Sequence, residues 1–90
     1  MPTLQEVKDY LGVSDNFNDP LLNSLMNASR IIVEGVLRYQ IEKVNPVPTL
    51  ITEAIKFTTA FLYSGRETAD VGALEKTLRT MLMSVRQEAF

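Results

Sequence analysis

Residues 19–39 read Asp19-Pro20-Leu21-Leu22-Asn23-Ser24-Leu25-Met26-Asn27-Ala28-Ser29-Arg30-Ile31-Ile32-Val33-Glu34-Gly35-Val36-Leu37-Arg38-Tyr39. An acidic N-cap followed by proline at the first helical position opens a helix, because an N–H there would find no intrahelical acceptor and its loss costs nothing. Leu22, Leu25, Ser29, Ile32 and Val36 recur at steps of three and four, the spacing of one helical face. Leu21, Met26, Val33 and Leu37 widen that face beyond what contact with a single partner helix requires. Expected to run to about Tyr39, this helix is ~30 Å long and has to be covered on more than one side. Gly35 costs up to ~1 kcal/mol relative to alanine in a helix interior, so its place here predicts a close crossing with a neighbouring element.

Upstream, a short helix is expected from about Thr3 to Leu11. Thr3 and Glu6 have the spacing of a capping box, in which the hydroxyl and the carboxylate each satisfy an orphaned backbone N–H. Leu4, Val7 and Leu11 share one face, and Gly12 offers the left-handed stop. The Asp- and Asn-rich stretch from Val13 to Asn18 reads as loop. Downstream, Pro46 and Pro48 hold the connector Gln40–Thr49 extended. A third helix is expected from about Leu50 to Ser64, ended by Gly65, with Ile51, Ala54, Ile55, Thr58, Phe61 and Leu62 on one broad face and Phe57 at its border. After a polar link from Arg66 to Gly72, a fourth helix is expected from about Ala73 to the end of the chain, with Leu74, Leu78, Met81, Leu82, Val85 and Ala89 as a stripe. No segment alternates with the period of two that marks a half-buried strand. The expectation is an all-α, single-domain bundle of about four helices spanning residues 1–90, with no sheet.

Composition narrows function by what it lacks. The 90 residues contain no cysteine, histidine or tryptophan. Without cysteine there is no disulfide framework, zinc-thiolate site or thiol nucleophile; without histidine the usual neutral-pH acid–base group is missing. Nine basic against eleven acidic side chains give a net charge of −2, and a protein that grips duplex DNA usually carries a basic excess. No apolar run approaches the ~20 residues that cross a bilayer, and no basic start with an apolar core marks a secretion signal. The chain is expected to be neither secreted nor membrane-inserted.

The remaining catalytic apparatus would be paired carboxylates. Glu6 with Asp9, and Asp15 with Asp19, are better explained by capping and solvation at helix starts than by two carboxyls held across a cleft. Asp15-Asn16-Phe17-Asn18-Asp19 lacks the glycine and distal glutamate of a calcium loop. The glycines at 12, 35, 65 and 72 form no phosphate-binding loop. No serine has a histidine, or a lysine three residues on, to activate it. No catalytic, cofactor-binding or metal-binding residue is assigned, and no cofactor is expected.

The fourth helix carries the most informative surface. Stepping about 100° per residue from Leu74, the core stripe falls between about −20° and 80°, and Arg86, Arg79, Phe90, Met83 and Lys76 fall between about 120° and 200°. One reading is a frayed end with ordinary surface. The other is a docking face, with Met83 and Phe90 as apolar anchors and the cations setting register against an acidic partner. Tyr63, Arg66 and Glu67 cluster where the third helix ends. There Arg66 either pairs locally with Glu67 or Asp70 or reaches a neighbouring subunit.

Two blocks of sequence resemble a known family. The first is Leu4-Gln5-Glu6-Val7-Lys8-Asp9-Tyr10-Leu11, its Asp-rich loop, and the helix opening at Asp19-Pro20-Leu21-Leu22. The second is Ile51-Thr52-Glu53-Ala54-Ile55 running to Leu62-Tyr63-Ser64-Gly65-Arg66-Glu67, and a leucine-rich, arginine-bearing helix closes the chain. In this order they resemble the head–tail connector (adaptor, DNA-packaging-associated) proteins of tailed bacteriophages and prophages, with Leu-Tyr-x-x-Arg-Glu as the sharpest element. The link Thr68–Gly72 is shorter than the partly extended segment often found at that point in the family.

The resemblance implies a non-enzymatic structural subunit that forms a homo-oligomeric ring under the portal protein, extends the DNA channel and offers a surface to a head-completion or tail protein. Genomic DNA would pass without sequence-specific binding, and no membrane is involved. The implied location is the head–tail junction of the virion, after synthesis in the bacterial host cytoplasm. Arg79, Met83, Arg86 and Phe90 are then expected to contact the portal or a neighbouring protein, and Tyr63, Arg66 and Glu67 to support subunit contacts. Two other readings predict different behaviour. A small helical phage DNA-binding or regulatory protein would need a tight turn and a recognition helix rich in exposed polar residues at its start, where only Lys76 is offered. A monomeric helical adaptor or inhibitor would stay monomeric at every concentration.

Overall fold

A computed structural model describes residues 1–41, 47–65 and 71–83. Four helices follow one another: α1 (Leu4–Leu11), α2 (Asp19–Leu37), α3 (Thr49–Gly65) and α4 (Val71–Met81). Among the described residues there is no strand. The all-α expectation holds, and the bounds of α1, α2 and α3 and the start of α4 fall within about two residues of expectation. The fourth helix, expected to continue to the end of the chain, instead stops at Met81, and Leu82 and Met83 form a turn.

The ends of α1 follow from their residues. Thr3 Oγ1 accepts from the Glu6 N–H at 3.1 Å while Glu6 Oε1 accepts from the Thr3 N–H at 3.0 Å, which completes the capping box. At the other end Gly12 takes φ +74°. Its N–H reaches Asp9 O at 3.3 Å and the Val13 N–H reaches Lys8 O at 2.9 Å, the two bonds of a Schellman closure.

α2 departs from expectation at three points. Its boundary residue is Asn18, not Asp19, and no side chain caps it; the Asp19 carboxylate is drawn instead to Lys8, 3.0 Å away. It ends at Leu37, where Arg38 adopts φ +67° and donates its N–H to Glu34 O at 2.8 Å. The third point is Gly35, which is exposed and has nothing within 4 Å of where a Cβ would stand. No close crossing occurs there; the missing side chain leaves open space on the surface.

The wide apolar face of α2 is covered by α1, α3 and α4 together, with α3 its principal partner. Leu22, Met26, Ser29, Val33, Val36 and Leu37 are buried, whereas Leu21, Leu25 and Ile32 lie half-buried at the edges. The main core joins the C-terminal part of α2 (Val33, Val36, Leu37) to Ile51, Ala54 and Ile55 of α3 and to Leu74, Leu78 and Leu82 of the α4 stripe. Val85 and Ala89, the remainder of the expected stripe, lie outside the described residues. The Cα envelope measures 44 × 31 × 17 Å. Its thickness is about that of two helix layers at the 8–10 Å spacing of packed helices, with α2 touching each of the other three helices.

Candidate functional site

Every described carboxylate that catalysis could have recruited at the N-terminal end is engaged in holding the fold. Glu6 closes the α1 cap, and the hydrogen bonds from the Thr3 backbone and hydroxyl hold its carboxyl below the ordinary value of 4.5. Asp9 Oδ1 accepts from Gln5 Nε2 at 2.9 Å. Asp15 Oδ1 accepts from the Phe17 N–H at 3.1 Å, a local turn of the Asx kind. Asp19 pairs with the buried Lys8, whose ammonium also donates to Asn16 Oδ1 at 2.6 Å. Among the described residues no three His, Cys, Asp or Glu side chains converge as metal ligands would.

The candidate surfaces that remain lie at the two ends of α2. At its N-terminal end the 13–18 loop is pinned from several sides. Besides the Lys8 and Asp15 bonds, Asn18 Nδ2 donates to the Tyr63 hydroxyl at 3.1 Å, across 45 residues of sequence. Tyr63, expected at a subunit contact, is half-buried and braces this loop from the end of α3. Its companions Arg66 and Glu67 lie outside the described residues. At the tip stands Phe17, 89% exposed.

At the opposite end, α2 and α4 enclose a groove of about 290 Å³, lined by Ile31, Ile32, Gly35 and Val36 and by the charged Arg38, Glu75 and Arg79. Arg79 is exposed. Met83, one turn further on, is 68% exposed just past the end of α4. The structure thus puts these two residues of the expected docking face on the surface; Arg86 and Phe90, the other two, lie outside the described residues. Sequence reasoning missed the α2 side of the groove. The signal was the consecutive Ile31-Ile32-Val33: on a helix three successive residues point 100° apart, so one had to face outward. It is Ile31, which is 61% exposed.

A small all-helical module thus presents exposed apolar side chains near both ends of α2, Phe17 at one and Ile31 with Met83 at the other. The sequence profile of the phage gp6-like head-tail connector protein family matches residues 1–86, and the chain belongs to that family. No curated protein and no solved structure matches it significantly. Membership makes it a structural phage protein of the connector type, placed at the head–tail junction of the virion and interacting with other phage head and tail proteins. No described helix is long and apolar enough to cross a membrane.

Proposed function

We propose that the chain is the subunit of a homo-oligomeric ring seated under the portal, which extends the DNA channel and joins head to tail. Residues 1–90 act as one domain in this reading. Arg79 and Met83, together with Arg86 and Phe90, contact the portal or a neighbouring protein, and Tyr63, Arg66 and Glu67 support subunit contacts. The observation that carries the reading is the second face of α4: Leu74, Leu78 and Leu82 are buried while Arg79 and Met83 on the other side stand in solvent. A helix that has already satisfied its core needs no exposed methionine beside an arginine, and such residues are enriched where a partner seats. The Asp, Glu, Lys and Arg balance of −2 also suits a channel that DNA must traverse without adhering.

Light scattering behind size-exclusion chromatography, over a wide concentration range and with and without purified portal, tests the ring. A discrete species many times 10.1 kDa supports it and reports the copy number. A strict monomer that also ignores the portal refutes it in favour of a lone adaptor.

A further inference from the structure

Resting on the ring reading, we infer that successive subunits engage head to tail, the Phe17 tip of one copy seating in the α2–α4 groove of the next. Phe17 is not exposed because its loop is loose. The turn beneath it is fixed by the Asp15–Phe17 bond, by Lys8 to Asn16 and Asp19, and by Asn18 to Tyr63. A large aromatic ring held 89% in solvent on a pinned loop is a pre-organised anchor, which loses little conformational freedom when it binds.

The receiving surface is present on the same chain. An apolar cavity of about 150 Å³ is enough to take up benzene, so the groove of about 290 Å³ has room for a phenyl ring and its flanking backbone. Ile31, Ile32 and Val36 supply apolar wall, and the absent side chain at Gly35 keeps it open. Charge agrees as well. Asp15 sits beside the tip, whereas the groove has Arg38 and Arg79 against the single Glu75, and among the described residues neither arginine has an ion-pair partner.

The placement requires a second copy, because the tip cannot reach the groove of its own chain. Phe17 precedes the first residue of α2 and the groove begins at Ile31, so tip and groove are separated by ~18 Å or more of helix. A knob and a hole at opposite ends of one element allow a heterologous contact, which closes into a ring when the rotation per subunit permits, whereas reciprocal two-fold pairing would overturn the head-to-tail arrangement by giving a closed, doubly cross-linked dimer in place of a ladder. The Asn18–Tyr63 bond also puts Tyr63 at the knob end, where the subunit-contact reading needs it.

The chain has no cysteine, so engineered thiols report without background. Phe17→Cys and Ile31→Cys are made singly and together, and each is oxidised alone, mixed, and in the presence of purified portal. The expected result is a 17–31 disulfide dimer on mixing the single variants and a covalent ladder from the double variant. In parallel, Phe17→Ser should keep the helical circular dichroism of the parent and raise the apparent Kd of association by at least about tenfold, as for a residue central to an interface. An oligomer that forms without the 17–31 disulfide, or that gives mainly 17–17 dimers, overturns the docking while the ring stands. A chain that stays monomeric alone and with portal removes the ring and the docking together.

Discussion

Thr59 Oγ1 lies 2.9 Å from Ser29 Oγ across the α2–α3 interface, with both side chains fully buried. Ser29 Oγ donates its own hydrogen bond to Leu25 O at 2.7 Å, and Thr59 has Ile55 O at 2.8 Å as a second acceptor. A hydroxyl has one proton to give, so Thr59 shares it between the neighbouring helix and its own. Such a polar contact within an apolar interface fixes the register of the two helices. Ser29→Ala is expected to cost about 1 kcal/mol, the net worth of a buried hydrogen bond. Thr59→Val, of similar shape, should cost less, and the double variant no more than Ser29→Ala alone. Urea denaturation of the four proteins closes the cycle; strictly additive costs would mean that the contact contributes nothing.

Much of this architecture is legible in the sequence because it is local. The Thr3–Glu6 cap, the Gly12 stop and the Leu74, Leu78, Leu82 stripe depend on residues within a few positions of one another. Ser29 falls on the α2 seam, but its partner Thr59, 30 residues away, leaves no periodic signature. Lys8 reads as an ordinary surface lysine until the loop carrying Asn16 and Asp19 folds over it. The candidate site is only half legible for the same reason. Arg79 and Met83 stand out on their own helix, whereas the groove exists only once Ile31 and Gly35 of α2 face α4.

Lys8 and Asp19 form an unequal pair. The lysine side chain is 6% exposed and the aspartate 27%, and Asp19 Oδ1 accepts no well-directed hydrogen bond, so the pair acts through charge. Asp19→Ala strands a buried ammonium on Asn16 alone and should destabilise by about 1–3 kcal/mol. Lys8→Met keeps the packing of the stem and strands only the buried Oδ1 of a side chain that is otherwise partly in water, so it should cost less. Thermal melts of the two variants give the order, and the reverse order would place the pair's importance in the carboxylate.

Tyr63→Phe separates bracing from packing. The ring stays in place, while Asn18 loses its acceptor in a half-exposed setting where water substitutes. Stability should fall by no more than about 1 kcal/mol. If the brace positions the Phe17 tip, association should weaken in this variant well beyond what its melt explains. Equal, small changes in both would make the bond incidental to assembly.

Glu6 makes α1 sensitive to acid. Its folded carboxyl titrates below the ordinary 4.5 because the charged form accepts from the Thr3 backbone and hydroxyl. The unfolded chain therefore binds its proton first as pH falls. The contribution is complete well above pH 4.5 and disappears as pH drops through the lower, folded value. The Glu6 side-chain carboxyl resonance should titrate with a midpoint below 4.5, and amide exchange at the start of α1 should accelerate over the same range. Glu6→Gln should abolish that acid-dependent part of the exchange.

Arg38 carries a conformational cost that the fold alone does not require. At φ +67° a residue with a Cβ sits roughly 1–2 kcal/mol above its right-handed alternative, and glycine would occupy the position freely. Glycine's larger unfolded entropy offsets part of that gain. Arg38→Gly should therefore stabilise the monomer by up to about 1 kcal/mol while its N–H still closes α2 on Glu34 O. An arginine kept at a strained cap points to use of its side chain, and here that side chain lines the groove. The same variant should assemble less well than the parent despite melting higher. A gain in both stability and assembly would show that the guanidinium does nothing at the subunit contact, leaving Arg79 to supply the groove's positive charge alone.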